Sequence, residues 1–562
     1  MVPQASGSGE LLDLTKDGVL PGDLLARLDT LSAEHRQAFD LMVAALSKGR
    51  EKNIDWWVCR TATRNNHASQ LFARCMQLTL VRTLHSEGKL TGVLVDDPAL
   101  ATVLYSGGIP IEYLGGRFSK RWRGIARTLR EITSVMFHLL AAAIFTRLTR
   151  AERRLPPYPL IVVDEFVNRD SFRAGRFVDH YFEGLPTTLL PEDANRLCIM
   201  PTFYRIRDYR STISAMRQSN YNFLLREDYL KFSDYMFALC HWLRSTHLCG
   251  RKIRFSEFEV GPLIDSDIRA GRFSYSSVQS LLSYRFLRNA KRLGLNISHL
   301  LDWYEGQDID HAFAAAINWH TIPITHVGYR PVAPPGYLSV TPTQHEVEAE
   351  VVPRILAVVG TRARMELSSK LTGTEVRAAP SFRYRTLRNL QTVDKGASKN
   401  ILVLLPLDIS AVGRCAEIIK PLVRDDPTIH WHIKFHPLMP RHEAVRAFGE
   451  QAEMLRIVDG PYYYWLARCD LIIGGSTNAL AEAVAVGIPA ICLATGNQPT
   501  EIPIPPWAPD GLWAMCYTSN DLARLIPRLT PMHPQDAAVN CFREQFAGPW
   551  SLDEIRTCLG LH

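Results

Sequence analysis

The stretch DLIIGGSTNALAEAVAVGIPAICL (470–493) decides how the rest of the chain is read. An apolar run, Leu471–Ile473, meets two glycines and a hydroxyl pair. A helix-spaced Ala/Leu segment follows, then Gly487-Ile488-Pro489, then a second apolar run, Ala490–Leu493. Short apolar runs joined by a helical stretch are the signature of a parallel sheet covered on both faces. Gly474 and Gly475 are expected to let the backbone turn tightly after the strand. Ser476 is placed as the helix N-cap, with Thr477 and Asn478 beside it in the first turn. A helix start carries N–H groups without helical partners and a partial positive charge, so it attracts anions. Upstream, HWHIKFHPLMP (430–440) sets Lys434, His436 and Pro437 at the end of another apolar strand. Ligands of open α/β sheets gather at the carboxyl ends of strands. Lys434, His436, Pro437, Gly475, Ser476, Thr477 and Asn478 therefore form one candidate phosphate-binding constellation.

Moving outward, the same alternation recurs. In the C-terminal half, Thr321–Val327, Ala357–Val359, Ile401–Leu405, His430–Phe435 and Leu455–Val458 read as strands. In the N-terminal half, Asp55–Cys59, Gly92–Val95, Ile109–Leu114, Leu160–Val163, Leu197–Met200 and Asn222–Leu225 do so. Ala33–Ser47 and Ala68–Glu87 carry helical periodicity, and residues 227–300 look mainly helical. At 562 residues the chain has room for two domains. The expected division is a helical extension over 1–50, a first Rossmann-like domain over 51–300, a second over 301–540, and a terminal helix over 541–562 that crosses back; the resemblance described next makes the first the acceptor domain and the second the nucleotide-sugar domain. No internal repeat is visible.

The KFHP and GGSTNALAEA pair resembles the His-Pro and Ser motifs of bacterial sialyltransferases and related Kdo and capsule transferases. DWWVCRTATRNN (55–66), WYEGQDID (303–310), THVGYRPV (325–332), TPTQHEVEAEVVP (341–353) and PSFRYRTL (380–387) are similar to a bacterial family of surface carbohydrate biosynthesis proteins. That resemblance spans most of the chain. It implies a GT-B architecture, two Rossmann-like domains facing a central cleft, and a nucleotide-sugar donor, CMP-linked, with a Kdo-like or nonulosonic acid sugar. It also implies a ribose-binding role for Glu482 and no metal or other cofactor. Transferases of this kind carry an acidic-acidic-Gly motif for the base. Tyr304-Glu305-Gly306 keeps one of the two acids.

Glycosyl transfer needs a base for the acceptor hydroxyl and positive groups for the departing phosphate. WYEGQDID offers Glu305, Asp308 and Asp310. Asp96 and Asp97 (LVDDP) and Asp164 and Glu165 (VVDEF) end N-terminal strands, and Asp97 joins Glu305 and Asp308 as a catalytic candidate. Arg60 and Arg64 follow the first strand and suit an anionic acceptor or sugar carboxylate. Arg383 and Arg385 alternate with aromatics and would share one face of a strand as donor contacts. His432 and His436 would sit about 13 Å apart along a strand, too far to share a metal ion.

The net charge of +7 is concentrated. Residues 117–154 hold ten Lys/Arg and two Asp/Glu, a local +8, which leaves the remainder at −1. Within this segment Ile132–Thr146 is free of Lys, Arg, Asp and Glu. As a helix it spans about 22 Å, short of the roughly 30 Å of a bilayer core. Arg121, Arg123, Arg127, Phe137, Leu140 and Arg147 are the candidate membrane contacts of an interfacial helix. The basic charge sits beside an apolar run and is not interleaved with stacking aromatics, which argues against nucleic acid. The eleven Cys include no CxxC pair and fall mostly in apolar runs, as core residues of a reducing compartment do. The polar start, MVPQASGSGELLDLTKDG (1–18), lacks the form of a signal peptide. The expectation is a cytoplasmic protein held peripherally at the inner membrane, with a nucleotide sugar and a glycan or lipid-linked acceptor as partners.

Three functions fit these readings. The first is transfer of a sugar to a bacterial surface glycan or lipid-linked acceptor. The second is a polyol-phosphate transferase of the CDP-glycerol type, which also pairs a His-Pro with a Ser-rich turn. The third is a non-catalytic membrane-surface scaffold of polysaccharide assembly.

Overall fold

The structure, a computed structural model, describes residues 10–561 except 115–116, 169–170, 174–175, 205, 207, 332–340, 391–398, 424–427, 437–438, 531–535 and 549, and without the side chains of 117–125, 127, 444 and 536. Two six-stranded sheets, every neighbouring pair parallel, dominate it. The first runs, edge to edge, Glu375–Ala379, Ile355–Val359, Thr325–Arg330, Ile297–Trp303, Leu160–Val167 and Leu197–Phe203. The second runs Arg456–Ile457, Ile429–Lys434, Lys399–Leu404, Leu471–Gly474, Ala490–Leu493 and Trp513–Cys516. In chain order the second is 3-2-1-4-5-6, the doubly wound order of dinucleotide-binding domains. The first is 2-1-3-4-5-6, the related flavodoxin-like order with a sixth strand. The protein thus has the α/β, two-Rossmann GT-B architecture.

Both sheets are apolar on both faces because helices cover both. In the first, Leu160, Val162 and Leu300 enter one core while Ile161, Val163 and Leu301 enter another. In the second, Leu402, Ile472 and Cys492 face one way and Val403, Ile473 and Ile491 the other. The period of two along each strand produces this split.

The expected domain limits are corrected. Strand Ile297–Trp303 straddles the 300/301 division, and the three strands after it belong to the first sheet; the second sheet begins at Lys399. Alternating apolar runs reveal strands but not partners, and the pairing alone sets this limit. Nor do the described residues of the expected 1–50 extension, 10–50, stand apart. Glu10–Asp13 pairs with Leu90–Val95, which pairs with Ile111–Tyr113, in a small parallel sheet of its own. Helices Gly22–Ser47, Leu71–Ser86 and Pro98–Ser106 complete this N-terminal layer.

Two strand expectations fail locally. Asp55–Cys59 is helical at Ile54–Trp57, because the Asn53 side chain accepts from the N–H groups of Asp55 and Trp56 and caps it. Its residues are buried all round, so apolarity could not separate strand from helix. Asn222–Leu225 contributes a single bridge, Phe223 to Ile199.

The N-terminal layer spans both domains. Gln77 donates to the Asn497 carbonyl at 2.6 Å, and the Asn497 amide reaches the carbonyls of Asp13 and Thr15. Asp29 accepts from the Thr500 N–H at 2.7 Å and the Tyr517 hydroxyl at 3.1 Å. At the other end of the chain, helix Asp536–Ala547 packs Phe542 and Phe546 into the second domain. Helix Leu552–Leu559 then returns to the first sheet, with Ile555 and Cys558 beside Ile161 and Leu301. Gly548, at φ 64°, lies where this return passes so close that a Cβ would stand 2.5 Å from the Ala379 carbonyl oxygen.

Candidate functional site

The middle strand of the second sheet fixes the geometry. Leu404 is the register partner of Lys434 on one side and of Gly474 on the other. The loops bearing His436 and Ser476 therefore leave the same carboxyl edge at the same height, about 10 Å apart at two strand spacings. This edge includes the point where strand order reverses, the usual ligand crevice of an open sheet. His436 is half-buried there, and Pro437 lies outside the described residues.

Details of the constellation differ from expectation. Helix Ala479–Ala485 starts three residues after Ser476, so Ser476 is not its N-cap. The Ser476 hydroxyl donates to the Glu501 carbonyl at 2.8 Å, pinning two loops of the edge together. Asn478 holds the N-cap position without a side-chain capping bond, and Thr477 is half-buried beside it. Neither glycine has a positive φ; Gly475 instead leaves open space where a side chain would stand. The Lys434 ammonium donates to the Gly460 carbonyl at 2.7 Å, and burial lowers its pKa. Its visible work is to tie two loops.

Glu482 is buried 5% exposed, where it accepts a hydrogen bond from the Tyr463 hydroxyl. Burial raises its pKa, against the pull of Arg383 and Tyr463. Arg383 belongs to the segment that follows the last strand of the first sheet, and it connects the two halves electrostatically. Partial burial pulls its pKa down, though the residue stays exposed, and Tyr384, Glu482, Tyr463 and Glu305 outweigh this and raise it.

Glu305 lies just beyond strand Ile297–Trp303, at the carboxyl edge of the first sheet. The loop is built by Asp310, whose carboxylate accepts the N–H groups of Glu305 and Gln307 at 2.9 and 2.8 Å. Gly306 turns it at φ 72°. The exposed Glu305 carboxylate is held at both oxygens: the Trp303 indole N–H donates to Oε1 at 2.8 Å and the Gln307 amide to Oε2 at 2.7 Å. Each oxygen keeps a further lone pair for an incoming hydroxyl. The Tyr181 ring stands edge-on to Trp303, centroids 4.7 Å apart. Arg330, ending strand Thr325–Arg330, is buried nearby and feels the charges of Tyr304 and Glu305.

Glu501 brings the two edges and the N-terminal layer together. Burial raises its pKa, with Glu305 adding to the rise and His67 opposing it. His67 Nε2 is 3.6 Å from its carboxylate. Glu305, Arg383, Tyr463, Glu482 and Glu501, drawn from both domains, are thus linked by charge.

Several expected site residues do other work. Asp97 caps helix Pro98–Ser106, accepting from the N–H groups of Ala99 and Leu100. Arg60 donates to the carbonyls of Ala68 and Ala270. Arg64 is buried 4% exposed, donating to Asp40 at 2.8 Å and Glu346 at 2.6 Å, and so is no ligand contact. Asp308 accepts from the Ser276 hydroxyl at 2.7 Å, and burial raises its pKa. Arg383 and Arg385 lie on a turn and the short 3-10 helix Arg385–Asn389, not on a strand. Arg385 points away, 5.0 Å over the Trp550 ring. Asp164 is enclosed with the Thr202 hydroxyl, its pKa pushed up to about 7 by burial. Glu165 is hydrogen-bonded to Asp179, and burial holds it well above the carboxylate range.

Tyr181, Tyr463, Glu501 and His67 were not singled out from the sequence. The run Tyr462-Tyr463-Tyr464 was the available signal for one of them, and Trp303, two residues before Glu305, marked its anchor.

No family model matches the chain, and no curated protein does. Solved structures similar to it include MurG of Acinetobacter baumannii, at 12% identity and a TM-score of 0.39 over 72% of this chain and 100% of that one. The UDP-GlcNAc 2-epimerase of Neisseria meningitidis bound to UDP-GlcNAc is similar at 12% and 0.39 over 72% and 98%. MnaA of S. aureus with UDP is similar at 11% and 0.41 over 72% and 97%. With superpositions this loose, nothing about the chemistry of this chain follows from them.

Proposed function

We propose that this protein is a glycosyltransferase that moves a sugar from a nucleotide donor to a glycan or lipid-linked acceptor. The observation that carries the reading is a carboxylate, Glu305, held at both oxygens at the carboxyl edge of the first sheet, with Arg383 linking it by charge to Glu482 of the domain whose edge bears the His436 and Ser476 loops. Glu305 takes the proton of the acceptor hydroxyl as its oxygen attacks the anomeric carbon. The bond from that carbon to the phosphate oxygen breaks, and its electron pair leaves with the nucleotide. His436 and the backbone N–H groups after Gly475 meet the charge that develops there. The resemblance of GGSTNALAEA assigns Glu482 to the ribose, a role its carboxyl takes on only by turning from Tyr463.

The donor we favour is a CMP-activated acidic sugar of the Kdo or nonulosonic type. The resemblance of KFHP and GGSTNALAEA supports it, as does Arg383, since a guanidinium beside the base suits a sugar carboxylate. In this reading protein groups meet the phosphate charge without a metal.

A donor screen tests this by reading nucleotide release from each sugar nucleotide, with and without EDTA. CMP-linked acidic sugars should turn over, unaffected by chelation, and Glu305→Gln should stop them. Transfer from CDP-glycerol would make the protein a polyol-phosphate transferase. Failure to bind any nucleotide would leave the scaffold reading.

A further inference from the structure

The long helix Arg117–Leu148 is apolar on two opposite faces over residues 129–148. Its inner face, Val135, Leu139, Ala142 and Thr146, is buried at helical spacing. His138, on the same side, lies 5.7 Å from the Tyr209 ring and 5.0 Å from Tyr275. A helix so packed should show charge to water on its other side. Instead Leu129, Met136, Phe137, Leu140, Ile144 and Leu148 are exposed, Phe137 by 57%, Ile144 by 51% and Leu148 by 73%. Their spacing draws one stripe about 28 Å long at 1.5 Å per residue. An apolar surface of this extent marks an interaction site.

Its surroundings identify the occupant. Arg130 flanks the stripe at one end and Arg147, Arg150 and Arg154 at the other, all exposed. The sequence adds Arg117, Lys120, Arg121, Arg123 and Arg127 before it; the side chains of all five lie outside the described residues. Arg147 is within electrostatic reach of Tyr235, on helix Phe232–Leu239, where Phe232 and Met236 are exposed as well. A second copy of this face would bring like charges together. An anionic bilayer satisfies the stripe and the arginines at once.

We infer that this face docks in the surface of a bilayer containing anionic phospholipid, with the helix lying in the interface plane. Thr128–Leu148 is long and apolar enough to cross a membrane by composition. Crossing would strip its inner face from Tyr209, Tyr275 and the core, so the folded protein lies on the membrane instead of spanning it. The docking also bears on the cleft. Tyr275 contacts His138, the adjoining Ser276 donates to Asp308, and Asp308 opens the helix that follows the Glu305 loop. The candidate acceptor edge is thus one packed layer from the membrane face, where a lipid-carried acceptor would arrive. That last step rests on the transferase reading; the docking does not.

Vesicle flotation of the full chain tests it. The protein should rise with phosphatidylethanolamine/phosphatidylglycerol vesicles at low salt, less in high salt, and little with phosphatidylcholine alone. Phe137→Ser, Leu140→Ser and Ile144→Ser together should weaken partitioning at least about tenfold. Arg147→Glu and Arg150→Glu should each weaken it about fivefold or more. Thermal unfolding of each variant confirms the fold, and the arginine variants carry the test if the triple variant is unstable. Equal flotation on neutral and anionic vesicles would overturn the inference, as would variants that float like the wild type. So would a dimer in sedimentation velocity that the triple variant dissociates while vesicle binding is absent.

Discussion

The carboxyl edges of the two sheets are built from different kinds of sequence. At the second, the candidate groups follow their strands within a few residues: His436 after Ile429–Lys434 and Ser476 after Leu471–Gly474. Local sequence therefore placed both at the carboxyl edge of one sheet, though not in the hydrogen bonds expected. At the first edge the site is assembled from distant segments. Glu305, Tyr181, Arg330 and Arg383 come from separate crossovers and meet only after folding. Charged residues that the sequence offered at strand ends elsewhere do other work: Asp97, after Leu90–Val95 of the small sheet, is a helix cap, and Arg64, which follows a helix instead of a strand, belongs to a buried ion pair. The difference teaches that a strand-end residue is a site candidate only when the surrounding backbone and charges do not already claim it.

The largest effect should come from Glu305→Gln. The substitution preserves shape and loses the base, so turnover should fall by roughly 10²–10⁴ while nucleotide affinity changes little. Single-turnover rates beside binding titrations check this. Turnover close to wild type would move the base elsewhere, and Glu501→Gln would be the next variant to assay.

Arg64→Met should cost about 3 kcal/mol of stability, because it takes the guanidinium away from the buried Glu346 carboxylate and the half-buried Asp40. Denaturant unfolding reads the loss. Nucleotide affinity of the folded variant should match the wild type, which separates an ion pair from a ligand contact.

Asp29 tests the layer that bridges both domains. Burial raises its pKa from 3.8 to about 6. The folded state therefore favours the protonated form: the contribution is fully present below the unfolded value and lost as pH rises through about 6. By pH 8 the loss is about 3 kcal/mol at 1.36 kcal/mol per unit. Asp29→Asn should remove this pH dependence from thermal unfolding and leave the variant at least as stable as wild type at pH 8. A wild-type melting profile flat between pH 4 and 8, after correction for the other carboxylates with the variant, would contradict it.

The smallest effect is expected at Lys434. Its ammonium already holds Gly460, so Lys434→Ala should cost about 0.5–1.5 kcal/mol of stability and weaken nucleotide binding less than fivefold, about 1 kcal/mol. A larger loss of affinity would make Lys434 a phosphate ligand.

The legibility of the fold follows the same division. Apolar runs such as Leu160–Val163 and Ala490–Leu493 announced strands because burial on both faces leaves no polar interruption. Their assignment to sheets was not legible, since Thr325–Arg330 and Lys399–Leu404 have the same apolar character and differ only in their partners. Strand Glu375–Ala379 was missed because its residues are only partly buried and carry Glu375 and Arg377. Within the site, Glu305 stood out as the one acid that Tyr304-Glu305-Gly306 keeps of an acidic-acidic-Gly motif, near the expected domain junction. Glu501 and His67 did not, because their meeting depends on how the N-terminal layer docks on the second domain.

The most direct test of the account is a calorimetric titration with CMP of the wild type and of His436→Ala. The account predicts binding between micromolar and millimolar strength, abolished by the substitution while the fold is retained. A cleft that takes up no nucleotide, or that binds CMP equally well without the imidazole, would contradict it.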